Sequence, residues 1–543
     1  MSWIKQPGVW CALAAGLALK IAILATHSIT FDADEAVLGL MARHILSGER
    51  PVFFYGQSYM GALDAYLTVP FFLMFGQTVT AMRLLQVALF AGVLISTAAL
   101  AFRLDDDPFA ALAAAAMVAI PPVLFSLYTS STLGDYVETL LFNNLLLLIG
   151  LDLVTARRGG VGWWIAFGVI AGVGWWSMAL VVVSLIPLAA VGLIRMWKAP
   201  PWGRVLAAAL GFAAGAAPWI VASAAHGLGS TATDLSGAWF SGPSALGDRL
   251  LALVLFNLPA LVGLRPPWSV EWNLLPIGLL LAALYGLVLW RSARAALPAL
   301  KSGDDRQTLT ALIVLGWATL LILFLATPFG GDPTGRYLLP LWPGLAILVG
   351  GWLAAMRRSE GSPFVPRAAL AAPAILALIV GYNLWGNVAA MIHNPPGLTK
   401  QFDPISQIPE DHDAKLIAFL DSIHADRGYS NYWVTFRFAF LTDDRILFSP
   451  RLPYKADLSY TYGDDRYPPY SNAVDAAKQA VYVTSNLPAL DQQIGQRLAK
   501  LKVTYQQKQI GPYTVFYNLS RKVTPDDLGA FGKVTGRAIH ASQ

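Results

Sequence analysis

The chain has 543 residues, of which 56% are hydrophobic and only 13% charged. Soluble globular domains carry nearer a quarter charged residues, so this composition describes a polytopic membrane protein. The net charge of +5 is modest, and a nucleic-acid-binding role has no basic tract to support it. A single cysteine, Cys11, lies in the first apolar run, so no intramolecular disulfide is possible. The seven histidines are scattered, with no H-E-x-x-H or paired-cysteine spacing, and no zinc site is visible.

A transmembrane helix needs about 20 apolar residues. Residues 8–26 read as an uncleaved first span, because the run is long for a signal peptide and the positive region before it is weak. Further spans are expected at 80–102, 108–127, 138–154, 161–177, 179–196, 205–224, 273–291, 309–327, 338–356 and 368–390, about eleven in all. Two segments, 62–76 with Asp64 and Pro70, and 248–264 with Asn257 and Pro259, read as interfacial or half-inserted helices. With the N-terminus inside, the inner loops hold Arg103, Arg157, Arg158, Arg195, Lys198, Arg204, Arg291, Arg294, Lys301, Arg306, Arg357, Arg358 and Arg367. The outer loops of this region hold far fewer basic residues, which is the positive-inside pattern.

Between the first two spans, Asp32, Asp34 and Glu35 put three carboxylates in four residues, where lipid would not tolerate them unpaired. Asp32 suits an N-cap, with Glu35 as its capping-box partner, which leaves Asp34 unexplained. Leu38, Met41 and Ile45 recur at helical spacing and predict a short helix in the membrane interface, with Arg43 and His44 between them. Phe53, Phe54, Tyr55 and Tyr59 are aromatics suited to headgroup depth. The D-A-D of 32–34 has the form of a metal-binding D-x-D, but three residues alone assign no divalent metal.

Two later outer loops carry further chemistry. In the Tyr128–Thr139 loop, Asp135 and Glu138 share a face if the next helix has begun; Thr132 and Asp135 otherwise cap it. In the Pro328–Pro340 loop, Arg336 stands against the charge bias with glycines near it. Its planar fork of donors suits a phosphate, the alternative being an ion pair with Asp332.

From about residue 398 the chain turns polar. Helices at 413–424 and 490–501 and strands at 445–448, 480–484, 502–505 and 513–517 predict a small α/β domain, with a loose tail over the last 20 or so residues. The division is therefore 1–397, a mainly α membrane domain, and 398–543, an extracytoplasmic α/β domain. Tyr460, Tyr462, Tyr467 and Tyr470, with Asp464, Asp465 and Arg466, read as an exposed loop that alternatively contacts sugar.

The run from Asp34 to Leu63, D-E-A-V-L-G-L-M-A-R-H-I-L-S-G-E-R-P-V-F-F-Y-G-Q-S-Y-M-G-A-L, resembles the first outer loop of bacterial membrane glycosyltransferases of the protein-mannosyltransferase and aminoarabinose-transferase type (GT-C). It is most similar to the lipopolysaccharide galacturonosyltransferase-like branch. G-D-Y-V-E-T and G-R-Y-L-L-P are similar to later motifs of that group, and Tyr429–Ile446 more weakly to some of its tails. The resemblance implies an inverting transfer of a sugar from a polyprenyl-phosphate donor to a glycan, lipid or protein acceptor on the outer face of a bacterial inner membrane. It maps the acidic pair to Asp34, as base, and Glu35, and the phosphate-binding arginine to Arg336. Tyr337, Glu138, Asp135, Tyr55, Gln57 and His44 are the further candidates for substrate contact. A transporter or flippase of a lipid-linked sugar is the competing class; it would show inverted repeats with broken helices, and none is evident.

The charge bias makes a direct prediction. With Cys11 replaced, a single cysteine at Gly463 should react with an impermeant thiol reagent from outside the cell and one at Gly303 only from inside. Labelling of both from one side would overturn the layout.

Overall fold

A computed structural model describes residues 6–157, 159–225, 246–300, 304–358, 366–393 and 397–535. Gly303, Arg158 and Lys301 lie outside these residues.

The membrane region is helical. α1 (Pro7–Ala25) begins on a proline, whose missing N–H is no loss at a helix start. α2 (Ala33–Leu46) and a two-stranded hairpin, β1 (Phe53–Phe54) and β2 (Gln57–Gly61), form with α3 (Leu63–Phe75) the connection between α1 and α4, expected to be the first outer loop. α4 (Val79–Asp105) is capped by Thr78, whose hydroxyl accepts from Ala81 N at 3.2 Å. α5 (Pro108–Ala119), α6 (Val123–Tyr128), α7 (Tyr136–Val154), α8 (Val161–Ser177), α9 (Val182–Met196), α10 (Trp202–Gly215) and α11 (Ala217–Ala225) follow. Helices Leu275–Ala299, Asp305–Ala326, Leu341–Arg358 and Pro366–His393 complete the region.

Among the described residues, seven helices are long and apolar enough to span a membrane, or eight if the bent pair α10–α11 is one span. The expected span 108–127 is instead two helices, because Pro121 and Pro122 interrupt the backbone ladder. The expected 205–224 is bent by 66° between α10 and α11. The 248–264 segment is not broken at Asn257 and Pro259 as expected: the chain is helical without interruption from Leu246 to Leu261, with a π turn at Leu253–Asn257, and exposes Leu250, Leu251, Val254 and Leu255. α3 exposes Leu73, Met74 and Phe75 at its end, as an interfacial helix does. α2 differs from expectation: every residue from Glu35 to Ile45 is buried, because the helix Tyr432–Leu441 of the C-terminal region covers the side expected to meet lipid. Cys11 is exposed on α1.

The basic loops gather at one end of the bundle. Arg103 pairs with Asp152 and Asp305 at 2.6 and 2.5 Å, Arg157 with Asp305 at 3.0 Å, and Arg306 and Arg358 with Asp105 at 2.9 and 2.5 Å. All of these groups stand at the opposite end of α4 from Arg83 and the first outer loop.

The C-terminal region holds a five-stranded mixed sheet in the order β4-β3-β6-β8-β7, made of β3 (Arg427–Tyr429), β4 (Leu447–Ser449), β6 (Val481–Ser485), β7 (Gln506–Ile510) and β8 (Tyr513–Tyr517). Strands β4, β3 and β6 run parallel, and β8 and β7 antiparallel. Helices Asp413–Ser422 and Pro488–Lys500 match expectation. Helix Tyr432–Leu441 was not expected: its aromatic and β-branched residues favour strand, but Asn431 caps it, accepting from Val434 N at 3.2 Å. The stretch expected to be a loose tail is held: Pro525–Leu528 is helical and β9 (Val534–Thr535) pairs with β5 (Tyr460–Thr461). Residues 536–543 lie outside the described set. One contiguous apolar core runs from Val9 to Leu528 across both regions, with a second cluster under the sheet.

α8 and α10 approach most closely. A Cβ at Gly168, Gly172, Gly211 or Gly215 would sit 2.0, 2.2, 2.5 or 2.3 Å from a backbone carbonyl oxygen of the partner helix. Both helices thus carry a G-x-x-x-G face that lets their backbones touch. Gly172→Ala should lower the unfolding temperature in detergent, since forced overpacking costs about 1–3 kcal/mol. Gly160→Ala, with nothing within 4 Å of its added carbon, should not. Equal stability of the two variants would mean that this contact is not tight.

Candidate functional site

The first outer loop starts where α1 ends. Ile29 forms a parallel bridge to Leu398, so the chain entering α2 and the chain entering the C-terminal region run side by side. Asp32 is the N-cap of α2 as expected; its carboxylate accepts from Asp34 N at 3.0 Å and Glu35 N at 3.3 Å. Asp34 is then in the first turn. One of its oxygens lies 2.8 Å from Lys400 Nζ, and the other accepts from the Tyr432 hydroxyl. Lys400 also bonds Asp32 at 3.0 Å. Burial pushes the Asp34 carboxyl up, but the Lys400 ammonium and the hydrogen bonds from Lys400 and Tyr432 outweigh it and hold the group at about 2.

Glu35 departs from its expected place beside Asp34. It is 1% exposed, chelated by Arg83 at 3.1 and 2.5 Å, and accepts from Thr132 N at 3.0 Å. It ties α2 to α4 and to the Tyr128–Thr139 loop, and neither lines the cavity below nor closes a capping box.

Asp34, Gln57, Tyr59, Tyr136, Arg336 and Tyr337 line one cavity of about 230 Å³. Its other wall is apolar, formed by Trp175, Met178, Leu180 and Ile186 around α8 and α9 and by Leu320 and Leu323 of helix Asp305–Ala326. Arg336 stands on a 3₁₀ turn that Gly335 enters with φ +87°, a conformation that favours glycine. The ion pair with Asp332 is present, at 2.7 Å, and Thr334 holds Asp332 in turn at 2.5 Å. The guanidinium lies over the Tyr337 ring at 4.9 Å, and its Nε is buried without a partner. Burial opposes its charge, and Asp332 together with the surrounding tyrosines outweighs this, so Arg336 is a fixed cation. Asp34 and Arg336 thus share the cavity while each pairs elsewhere.

The other expected residues fall outside the cavity. His44 Nδ1 is 3.0 Å from the Tyr55 hydroxyl, and His44 stacks on Tyr467 at 4.6 Å. Tyr55 and Tyr467 both donate to Glu49 at 2.6 Å. His44 and Tyr55 therefore lie in the seam with the C-terminal region. Asp135 occupies the N-cap position of α7 but does not cap it; its carboxylate accepts from Asp64 N at 2.8 Å. Glu138 packs against Asp64, which also accepts from Gln86 at 2.9 Å. Asp64, Asp135 and Glu138 make a buried carboxyl cluster behind the cavity wall.

Two residues that hold the site, Lys400 and Tyr432, were not expected from sequence, and a third, Arg466, was expected only as part of an exposed loop. Arg466 donates to the Gly56 carbonyl at 3.0 Å, lies over the Tyr432 ring at 5.5 Å, and reaches the Gln57 amide oxygen at 2.9 Å when that amide is turned to satisfy both partners. The tyrosine-rich loop that contains it docks on the first outer loop and is not simply exposed. No group of three or more His, Cys, Asp or Glu among the described residues is arranged to hold a metal ion. Asp32 and Asp34 face an ammonium that a metal would have to displace.

No family model and no curated protein matches the chain. Solved structures do match. The fold is similar to ArnT from Cupriavidus metallidurans bound to undecaprenyl phosphate, with TM-score 0.63, 13% identity, and coverage of 94% of this chain and 97% of that one. The apo form of the same protein gives TM-score 0.61 at 14% identity, with the same coverage. The Archaeoglobus fulgidus oligosaccharyltransferase in its apo form gives TM-score 0.52 at 13% identity, covering 89% of this chain and 70% of that one. At these identities the likeness is one of fold, and the chain has the GT-C-like architecture its first loop resembles.

Burial pushes the Asp64 carboxyl from 3.8 up to about 7. A raised carboxyl binds more protons folded than unfolded, so its contribution to stability is lost as pH rises from about 4 toward 7. Asp64→Asn keeps the acceptor for Gln86 and has no proton to lose. Its unfolding temperature should match the wild type near pH 4 and exceed it at pH 8. A variant less stable than wild type at pH 8 would show that the site favours the Asp64 carboxylate and that its carboxyl is not raised.

Proposed function

We propose that this chain is a membrane glycosyltransferase that moves a sugar from a polyprenyl-phosphate donor to a cell-envelope acceptor on the outer face of the inner membrane. The observation that carries the reading is one cavity with a carboxylate, Asp34, and a fixed cation, Arg336, on its lining, neither satisfied by the other. Its apolar wall between α8–α9 and helix Asp305–Ala326 suits a lipid chain. The neighbours in fold add support, since one of them binds undecaprenyl phosphate.

In a single displacement the acceptor hydroxyl gives its proton to Asp34 as its oxygen attacks the anomeric carbon. The bond from that carbon to the phosphate oxygen breaks, and the electron pair leaves with the phosphate. Arg336 holds the phosphate and stabilises the charge it gains. A carboxylate held at about 2 is a weak base toward a resting hydroxyl. It becomes effective as the attacking oxygen turns acidic in an oxocarbenium-like transition state, and Lys400 keeps it ionised until then. A carrier that only moved the lipid-linked sugar would need the groove and Arg336, but no carboxylate held ionised beside them.

Donor affinity and transfer rate of the protein in nanodiscs test this. Asp34→Asn should cut turnover by about 10²–10⁴-fold and spare donor binding. Arg336→Ala should weaken both, because the phosphate is present in ground and transition states. Lys400→Met removes the main force that lowers the Asp34 pKa and leaves burial, which raises it. The acid limb of kcat/KM, absent in the wild type down to about pH 2, should then move up through the usual carboxylate range. Near-normal transfer by Asp34→Asn would remove Asp34 as the base.

A further inference from the structure

A second cavity, of about 540 Å³, lies within the C-terminal region, between the 451–472 stretch and residues 525–534. That size is in the range of small-molecule sites. Three rings, Tyr460, Tyr462 and Phe531, line it together with Arg451, Asp465 and Asn472. Tyr460 and Tyr462 meet edge to face at 5.4 Å. Asp465 accepts from Ser471 at 2.7 Å through one oxygen, while the other is buried without a partner. The Asn472 side chain is exposed. Arg451 is matched by Asp475 at 2.6 Å and Asp526 at 3.6 Å, so the lining offers no unmatched cation for a phosphate or a lipid headgroup.

A carboxylate, an exposed amide and several aromatic surfaces on one lining match one ligand chemistry well. A sugar ring presents a C–H face that packs on aromatic rings and hydroxyls that donate to carboxylate and amide oxygens. We propose that this cleft binds a saccharide. If the transferase reading holds, that saccharide is the non-reacting part of the acceptor. The link to the reaction cavity is one residue long. Asp465 lines the cleft, and Arg466 beside it donates to Gly56 and lies over Tyr432, whose hydroxyl bonds Asp34. A glycan held here would keep its reacting end close to the carboxylate without adding to the chemistry.

The test uses the full chain in nanodiscs on a printed array of neutral-hexose, amino-sugar and uronate oligosaccharides. The wild type should bind at least one class. Asn472→Ala and Tyr462→Ala should each weaken that binding by about tenfold, the equivalent of one hydrogen bond or ring contact. Asp465→Asn, which keeps shape and loses charge, should weaken it as well. A wild type that binds no saccharide, or binding unchanged in all three variants, would overturn the cleft. Transfer assays on the same preparations separate the two ideas. A wild type that binds sugar and transfers none removes the transferase reading and leaves the cleft. A wild type that transfers, with the acceptor KM unmoved in the variants, removes the cleft and leaves the reading.

Discussion

The Lys400 ammonium between Asp32 and Asp34 is the contact on which the packing of α2 and the C-terminal region depends. Two carboxylates at the start of one helix cannot both be buried ionised without a cation. Lysine is the right cation here, a compact charge with donors for two separate acceptors. Because it arrives from the segment that leaves the last membrane helix, neutralising the acids also fixes that segment, through the Ile29–Leu398 bridge and a bond from Phe31 N to Glu410. Glu35 uses Arg83 in the same way to hold α2 against α4. α2 is therefore pinned on two sides by charge and covered on a third by helix Tyr432–Leu441.

One consequence is that the C-terminal region belongs to the site. It contributes no group to the cavity lining, yet Tyr432 and Lys400 set the orientation and ionisation of Asp34, and Arg466 holds the hairpin that carries Gln57 and Tyr59. The seam of His44, Tyr55, Glu49, Tyr467 and Tyr470 closes the same contact from the other side of α2. An apolar core continuous across both regions fits that arrangement.

Legibility in the sequence followed the range of the physics involved. Helices driven by local apolar runs were readable, as was an N-cap at Asp32. Asp34 and Arg336 were readable as charges standing where charges are costly. Partners were not. Lys400 is 366 positions from Asp34, in a segment with no motif, and the choice of Glu35 for Arg83 depends on how α2 meets α4. Helix Tyr432–Leu441 was hidden because its composition favours strand, although Asn431 ahead of it was a usable capping signal. The D-D-R-Y run at 464–467 was visible, but only the docking of its loop turns Arg466 toward Gly56.

The two groups of acids show how position decides what a carboxyl does. Burial works against the charge of both Asp34 and Asp64. Asp34 has a cation and a phenol hydroxyl on its two oxygens, so it remains an anion and can accept a proton later. Asp64 has an amide and two other carboxyls for neighbours, and burial there raises it with no cation to oppose the effect. A proton held among Asp64, Asp135 and Glu138 bonds α3, α4 and α7 together as neutral hydrogen-bonding groups do. The loop that joins α6 to α7 is thus tied twice, by Asp135 to Asp64 and by Thr132 to Glu35, and it carries Leu133 and Tyr136 into the cavity lining. The cluster shapes the cavity from behind, and the charge difference between the two sites follows from a single feature, the presence or absence of a nearby cation.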